Sequence, residues 1–353
     1  MEKKPRKSLR RKGQATTIDE VAALAEVSPM TVSRVINGKG TVRDANREKV
    51  LAAVKELGYT PNLAASTLAA AQGTRIALVY TNPSGAYLLS LLVGVLRAVS
   101  QGSIQLVMEY WEGMDAEAER KAARALAGKV DGVVLPPPLC ESRVAVSELL
   151  KAGLPVVAIA SAHFSDEISS VCIDDYHAGK EMTEHLISQG HSRIGFIKGR
   201  SDLSASKRRY EGFVAALRAS GLEVDPALVQ VGDYTYRSGL KAAEKLLGLR
   251  KPPTAIFASN DDMGAAVVSV AHRRGLDVPR DLSVVGFDDT SAATTVWPEL
   301  TTIHQPISSM ADIAIDVLVR TIRRRDNTRV LVNHVVPHRL VERDSVCPPP
   351  KRR

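Results

Sequence analysis

Short apolar segments alternate with amphipathic helical segments along most of this chain, from residue 74 to about residue 345. The apolar segments have four or five residues, the length of buried strands, and the segments between them have apolar residues at helical spacing. The predicted strands are residues 76–80, 105–109, 132–135, 156–160, 194–198, 255–259 and 283–286, and the predicted helices are residues 87–99, 117–127, 144–151, 179–188, 210–219, 239–247, 263–273 and 308–324. This alternation is typical of parallel sheets covered by helices, so the region is predicted to be an α/β body.

The length of this region sets how many sheets it can hold. The chain has 353 residues, and 280 of them follow residue 73, roughly twice the usual length of one domain. We therefore expect two subdomains, each with a parallel sheet, and a cleft between them. Ligands of open parallel sheets bind beyond the carboxyl ends of the strands, so this cleft is the expected ligand site.

Positive charge is concentrated near the N-terminus. The chain has a formal net charge of +8, and residues 1–73 contain 13 lysines and arginines against 7 acidic residues. A compact basic module beside a nearly neutral body is typical of a nucleic-acid-binding protein. Seven of these cations lie between residues 3 and 12, however, where a solubilising tail would also explain them. The charge alone leaves both interpretations open.

The segment after this tail predicts two short helices joined by a tight turn. Thr17 is a candidate N-cap for the first helix, and Ser28 with Pro29 is a favoured N-cap and first residue for the second. The Asn37-Gly38 pair ends the second helix, and a third is predicted at residues 44–57. This all-α segment, residues 16–60, is predicted to be a helix-turn-helix head.

The head resembles the lactose/galactose repressor (LacI/GalR) family of transcriptional regulators. The matching runs are TIDEVA at 17–22, VSPMTVSRVIN at 27–37, REKV at 47–50 and LGYTPN at 57–62. In that family the second helix lies in the major groove of DNA, which implies that Pro29, Met30 and Arg34 face base edges. An arginine can donate two hydrogen bonds to guanine. Short polar residues suit phosphate contacts, with an ordinary cap or a solvated surface as the alternative; here they are Thr17, Ser28, Thr31, Ser33 and Asn37.

An alanine-rich segment, residues 61–73, separates the head from the body. Residues 63–70 are too few to form a stable isolated helix in water, because helix nucleation is unfavourable. In the resembling family this segment is a hinge that becomes helical on operator DNA, which implies that Leu68 and Ala69 lie in the minor groove. Two such leucines from a dimer would wedge a base step apart and kink the duplex. A flexible interdomain linker is the alternative.

The body resembles the ligand domain of the same family, which has the fold of periplasmic sugar-binding proteins. The match includes EHLI at 184–187, IGFI at 194–197, SNDDM at 259–263, VVGFDD at 284–289 and PELTTI at 298–303. The resemblance implies that Arg209, Asn260 and Asp288 bind a ligand. Together they supply the donors and acceptors that a polyol needs. Further candidates are Asn82 and Tyr87 after the first strand, and Trp297, which could stack on a sugar face or lie in the core.

Three positions depart from the lactose-sensing pattern of the family. Ile159 stands in place of a sugar-binding aspartate, Pro136 in place of a cleft asparagine and Ile307 in place of a cleft aromatic residue. These differences argue against lactose as the ligand. A small carbohydrate or sugar-like effector remains the expected partner.

The resemblance also implies an assembly. In the family, the first sheet and the helix predicted at residues 87–99 form a dimer face, and the leucine-rich tetramerising helix of some members is missing here. We therefore expect a homodimer that binds palindromic double-stranded operator DNA. Residues 1–15 and 346–353 are predicted to be disordered tails. The N-terminus lacks the apolar core of a signal peptide, and no stretch is long and apolar enough for a membrane helix, so no membrane association and a cytoplasmic location are expected.

An enzyme and a transport protein are the alternatives. The chain has no GxxxxGK[ST] phosphate-binding loop, and Ile194 interrupts a hydrolase-like motif at residues 190–194. Its histidines do not have the spacing of metal ligands, so we predict no metal site. With no catalytic motif either, we predict no catalytic residue and no cofactor. A transport protein would need a secretion signal and no DNA-reading head. The sequence favours a non-enzymatic transcriptional regulator, with a repressor that responds allosterically to a metabolite as the specific hypothesis.

Overall fold

The computed structural model describes residues 18–36, 43–57, 73–81, 83–162, 167–324 and 330–350 of the chain. The chain divides after Gln72 into two compact units. The first unit contains the head, and the second unit is the body.

Three short helices form the described part of the head: α1 (Ile18–Ala25), α2 (Pro29–Ile36) and α3 (Asp44–Glu56). Val21, Val32 and Val50, one from each helix, are fully buried in a shared apolar core. Ser28 caps α2, because its hydroxyl accepts a hydrogen bond from the Thr31 amide at 3.2 Å. The predicted helix-turn-helix is confirmed.

The first subdomain of the body contains a six-stranded parallel sheet. Its strands are β1 (Thr74–Tyr80), β2 (Ile104–Tyr110), β3 (Gly132–Leu135), β4 (Val156–Ile159), β5 (Ser169–Cys172) and β11 (Asn333–Val335), in the order β11-β5-β4-β3-β1-β2. Its helices are α4 (Gly85–Ser100), α5 (Ala116–Leu126), α6 (Arg143–Lys151) and α12 (Ile307–Arg323). Every residue of β3 and β4 is buried, as expected for parallel strands covered on both faces.

The second subdomain repeats this plan with four parallel strands. They are β6 (Ile194–Lys198), β7 (Val229–Val231), β8 (Ala255–Ala258) and β9 (Ser283–Val285), in the order β7-β6-β8-β9. Its helices are α7 (Asp175–Ser188), α8 (Ser204–Ala219), α9 (Tyr236–Leu247), α10 (Asp261–Arg273) and α11 (Ser291–Thr295), and an antiparallel pair, β10 (Thr302–His304) and β12 (Arg339–Val341), completes the body.

The strand order predicts a crevice at the carboxyl edge of each sheet. In the first sheet β1 lies between β2 and β3, and in the second β6 lies between β7 and β8. Connections run in opposite directions from such a strand, which opens a crevice at the carboxyl ends. The two-subdomain α/β prediction is confirmed.

Two helices begin several residues earlier in the chain than the sequence predicted. The structure begins α7 four residues before the predicted start and α8 six residues before it, at Asp175 and Ser204. Both first turns are polar, which hid them from a search for apolar periodicity. Arg209 consequently lies inside α8 instead of before it.

The segment 346–353 was predicted to be disordered, but its described residues, 346–350, lie against the second subdomain. The Cys347 amide donates a hydrogen bond to Ser283 Oγ at 3.1 Å, and the Cys347 carbonyl oxygen lies 3.0 Å from His191 Nε2. His191 is itself buried, and its Nε2 also lies 3.0 Å from Ser283 Oγ, so the segment joins a polar cluster that the second subdomain already contains.

Within the described ranges, no helix has both the length and the apolar character needed to cross a membrane.

Candidate functional site

A cavity lies where the carboxyl ends of the two sheets meet. The first subdomain lines it with Pro83, Ser84, Tyr87, Pro137, Pro138 and Ala160. The second contributes Arg200, Leu203, Ala205, Arg209, Tyr234, Asn260 and Asp288, and Gln305 follows β10. Four residues predicted from the sequence, Tyr87, Arg209, Asn260 and Asp288, therefore line one cavity.

Arg209 is buried between α7 and the second sheet. Its Nε donates to Asp175 Oδ1 at 2.7 Å, its Nη1 donates to the Ser259 carbonyl at 2.7 Å, and its guanidinium lies 3.6 Å from the centre of the Phe287 ring. Burial alone would lower the pKa of Arg209, but the Asp175 carboxylate raises it above its ordinary value. Burial raises the pKa of Asp175, and the guanidinium opposes that shift. The contact therefore favours the charged form of both groups.

Glycine lets α7 and α8 approach closely enough to make that pair. A Cβ at Gly179 of α7 would overlap the Arg209 carbonyl oxygen, and a Cβ at Gly212 of α8 would overlap the Tyr176 carbonyl oxygen. Both glycines therefore permit a crossing that any larger side chain would widen.

Asp288 reaches the cavity from a constrained backbone. Its φ is 109°, a region that non-glycine residues rarely adopt and that is enriched at functional sites. The Asp288 amide donates to the Ile303 carbonyl at 2.9 Å, and Gln305 Nε2 donates to Asp288 Oδ1 at 2.9 Å. Burial raises the pKa of this carboxyl well above its ordinary range, while Arg209, at 3.8 Å, lowers it. When protonated, Asp288 can donate as well as accept.

Asn260 both caps a helix and faces the cavity. Its Oδ1 accepts a hydrogen bond from the Met263 amide at 3.0 Å, and its Nδ2 donates to the Tyr234 carbonyl at 3.0 Å. These bonds orient the amide at the start of α10. Part of the hydrogen-bonding capacity of the Asn260 side chain is therefore already used within the protein.

Two buried polar atoms in the described wall have no hydrogen-bond partner: Tyr87 Oη and Gln305 Oε1. Tyr87 is 5% exposed and Gln305 is 2% exposed. An unpaired buried polar atom is unfavourable by about 1–3 kcal/mol, so a ligand that pairs with both would gain affinity here. Sequence reasoning missed Gln305; its only signal was a polar residue directly after a buried strand.

Trp297 does not reach the cavity. Its side chain is 76% exposed, so both predicted roles, ligand stacking and core packing, are wrong. The segment after α11 buries Leu300 completely and partly buries Val296, which turns the intervening Trp297 outward. Asn82 lies outside the described residues.

The DNA-facing candidates are described only in part. Ser28 and Pro29 are exposed at the start of α2, Thr31 is half-buried, and the Ser28 and Thr31 hydroxyl oxygens lie 2.9 Å apart. The backbone of α2 includes Met30, Ser33 and Arg34, whose side chains lie outside the described part. Thr17, Asn37, Leu68 and Ala69 also lie outside it.

Comparison with known proteins finds the same two parts. Residues 17–62 match the family model "Bacterial regulatory proteins, lacI family", and residues 183–346 match "Periplasmic binding protein-like domain". Catabolite control protein A of Priestia megaterium is 34% identical over 331 residues, which cover 93% of this chain and 98% of the relative. The chain belongs to the lacI family of bacterial regulatory proteins.

Solved structures of lacI-family regulators have the same architecture. The CelR–cellobiose complex is 35% identical with a TM-score of 0.71, and the match covers 94% of this chain and 99% of CelR. The lac repressor dimer bound to operator and an anti-inducer is 28% identical with a TM-score of 0.70, over 95% of this chain and all of the repressor chain. The predicted family is confirmed. As a member of it, the chain is a DNA-binding transcriptional regulator and not an enzyme.

Proposed function

We propose that this lacI-family regulator is a homodimeric repressor that binds palindromic operator DNA through its head and senses a small sugar-like metabolite in the cavity of its body. One observation supports the proposal most directly. The same chain contains a helix-turn-helix and a cleft with two unpaired polar atoms, Tyr87 Oη and Gln305 Oε1. The groups around them, Arg209, Asp288 and Asn260, can both donate to and accept from hydroxyls.

An apolar surface on the first subdomain supports the dimer. Leu89, Val93 and Leu96 of α4 recur at helical spacing and are 59%, 53% and 55% exposed. Strand β2, at an edge of the first sheet, exposes Met108 and Tyr110. Clusters of exposed apolar residues of this kind mark interaction surfaces. We propose that α4 and β2 form the dimer face.

A charge placed on this face is expected to separate the protomers. Leu89→Glu would bury a carboxylate in the dimer interface, so we expect a protein of monomer mass with a much weakened affinity for a two-half-site operator. Analytical ultracentrifugation measures the mass. Val231→Glu is the control, because Val231 is 70% exposed on β7 of the second subdomain. A Leu89→Glu protein that remains dimeric would contradict this choice of face.

The effector acts, in this proposal, by changing the relative position of the two subdomains. Ser84 of the first subdomain donates to Asp262 of the second at 2.5 Å, so the cleft walls already touch beside the cavity. A ligand that binds one arrangement better shifts the population toward it. We propose that this shift controls whether the hinge leucines, Leu68 of each protomer, can enter the minor groove with Ala69 beside them.

In the head, Arg34 is the proposed base-reading residue. Arg34→Ala is expected to weaken operator binding by about 1–3 kcal/mol and to relax specificity at one base pair in each half-site. Selection of duplexes from a randomised library, followed by sequencing, measures both effects. Arg47→Ala, an exposed arginine of α3, is the control. It should leave the base preference unchanged even if overall affinity falls. An unchanged preference in Arg34→Ala would contradict its role.

A thermal-melt screen of the full chain tests the sensing half of the proposal. Sugars, sugar phosphates, sugar acids and nucleobases are each added to the purified protein. A ligand present at about 100 times its dissociation constant stabilises the native state by about 2.7 kcal/mol, enough to shift the melt by several degrees. A sugar that stabilises the protein supports the proposal. If only nucleobases stabilise the protein, the proposed ligand-sensing function still holds, but the ligand is a nucleobase and not a sugar.

A further inference from the structure

Helix α4 joins the two halves of the proposed function. Its first turn contains Tyr87, whose unpaired hydroxyl lies in the cavity wall. Its outer face exposes Leu89, Val93 and Leu96, the residues of the proposed dimer face. We propose that Asp262, in the other subdomain, is a positioning residue that fixes the first turn of α4 and thereby links the second-subdomain wall of the cleft to the dimer face. This inference rests on the proposed function, because it needs both the cleft and the dimer.

A hydrogen bond joins Asp262 to the start of α4. Ser84 is the buried N-cap of this helix, and its hydroxyl oxygen accepts from the Tyr87 amide at 3.2 Å. The same hydroxyl donates to Asp262 Oδ2 at 2.5 Å. A hydroxyl that donates to a carboxylate becomes a better acceptor, so the two bonds strengthen each other. Burial raises the pKa of Asp262, and the Ser84 hydroxyl opposes that shift, which favours the ionised acceptor. Asp262 therefore stabilises the cap of α4 from the opposite side of the cleft.

Asp262 also contacts a group of the second-subdomain wall. It lies in the first turn of α10, two residues after the N-cap Asn260. The oxygen that accepts from Ser84, Asp262 Oδ2, is 3.4 Å from Asn260 Nδ2. Asn260 lines the cavity, whereas Asp262 is not among the described lining residues. One carboxylate oxygen therefore lies between a proposed ligand group and the cap of α4, so a ligand that reorients the Asn260 amide changes the acceptor that Ser84 has.

Close packing against α12 makes α4 respond as a unit. A Cβ at Gly94 would overlap the Ser308 carbonyl oxygen, and Ser308 Oγ donates to the Ser90 carbonyl oxygen at 2.8 Å. Further along the same helices, Arg97 pairs with Asp312 at 3.2 Å. Close-packed interiors transmit strain instead of absorbing it. A displacement of the first turn of α4 is therefore expected to reach its outer face.

Analytical ultracentrifugation of the full chain, over a range of protein concentrations, tests this link. We expect Asp262→Ala to weaken the dimer by about fivefold or more, because a loosened first turn of α4 must be ordered again on association. Ser84→Gly removes the hydroxyl and keeps most of the capping preference, so it should give a similar loss. The double variant should lose no more than either single variant, since both act through one hydrogen bond.

Glu141→Ala is the matched control. Glu141, which follows β3, also joins the two subdomains: both of its carboxylate oxygens lie 3.0 Å from the Ser204 amide nitrogen at the start of α8. This contact does not involve α4, so we expect a dimer dissociation constant within about twofold of the wild type. Equal weakening by Glu141→Ala and Asp262→Ala would assign the effect to the relative position of the subdomains and would overturn the role of α4.

Hydrogen exchange followed by mass spectrometry locates the effect in the chain. Peptides from residues 84–96 should exchange faster in Asp262→Ala than in the wild type or Glu141→Ala, because the cap of α4 is weakened. A role of Asp262 confined to α10 would instead raise exchange in α10 and leave α4 unchanged. Asp262→Asn keeps an acceptor for Ser84 and removes the charge, so it should restore part of the protection and part of the dimer affinity. If Asp262→Ala does not fold, Asp262→Asn and Ser84→Gly provide the same test.

An Asp262→Ala protein with the dimer affinity of the wild type would overturn the inference and leave the proposed dimeric sensor standing. Unchanged hydrogen exchange in α4 would overturn it as well. A wild type that stays monomeric at every concentration would overturn the proposed dimer, and the inference with it.

Discussion

Asp175→Asn is expected to lower the free energy of unfolding by about 3–5 kcal/mol. Asp175 and Arg209 have side chains only 1% and 5% exposed, and their contact of 2.7 Å is the closest charge contact of the guanidinium. Removing one charge of a buried pair leaves the other uncompensated in a poorly solvated site. The Asp288 carboxyl lies farther away, at 3.8 Å, so it compensates only part of the lost contact. Urea unfolding followed by circular dichroism measures the loss.

Asp174→Asn provides a matched control for this variant. Asp174 precedes Asp175, its side chain is 39% exposed, and its contacts are the N-cap of α7 and the His177 side chain. Asparagine keeps the cap, and exposed ion pairs contribute little, so we expect a loss below about 1 kcal/mol. If both variants lose the same free energy of unfolding, the buried Asp175–Arg209 pair contributes no more to stability than an exposed ion pair, which would contradict the prediction.

Removing the Arg209 guanidinium is expected to abolish the response of operator binding to the effector. Arg209→Met alone would also leave Asp175 buried and unpaired, so loss of response could reflect poor folding. The double variant Asp175→Asn with Arg209→Met separates the two effects. Replacing both members of a buried pair is often nearly neutral for stability. We therefore expect most of the wild-type stability and normal operator binding, with no change when the effector is added.

Arg208→Ala is the control for the double variant. Arg208 is the neighbouring arginine on α8, its side chain is 45% exposed, and it pairs with Glu211 on the surface. Its removal should leave the effector response intact. A double variant that responds normally to the effector would remove Arg209 from the ligand site.

The main strands and helices of the body were predictable from the sequence, because short apolar segments and helical apolar spacing identify them directly. Every predicted strand overlaps an observed one. The strands it missed, such as β5, β7 and β11, have three or four residues and include serine, glutamine, asparagine or histidine. Their strand conformation depends on pairing with a neighbour, as β11 pairs with β5, and that pairing is not encoded in local periodicity.

Most of the candidate site was predictable from positions that the family resemblance supplied, and Tyr87 was predictable from its place after the first strand. Arg209, Asn260 and Asp288 line the cavity, and their role in ligand binding stays a prediction, but the sequence did not indicate the side chains that they contact. Asp175 lies 34 residues before Arg209, and the two meet only because α7 and α8 cross at glycines. A contact of this kind depends on the tertiary fold, so no local sequence pattern predicts it.

Operator affinity of the wild type, measured by fluorescence anisotropy with and without saturating effector from the melt screen, tests the central claim most directly. The claim is that the cleft in the body and the head are energetically linked. It predicts that effector changes operator affinity by about 5–150-fold, and that operator DNA changes effector affinity by the same factor. An effector that stabilises the protein in the melt yet leaves operator affinity unchanged would contradict it.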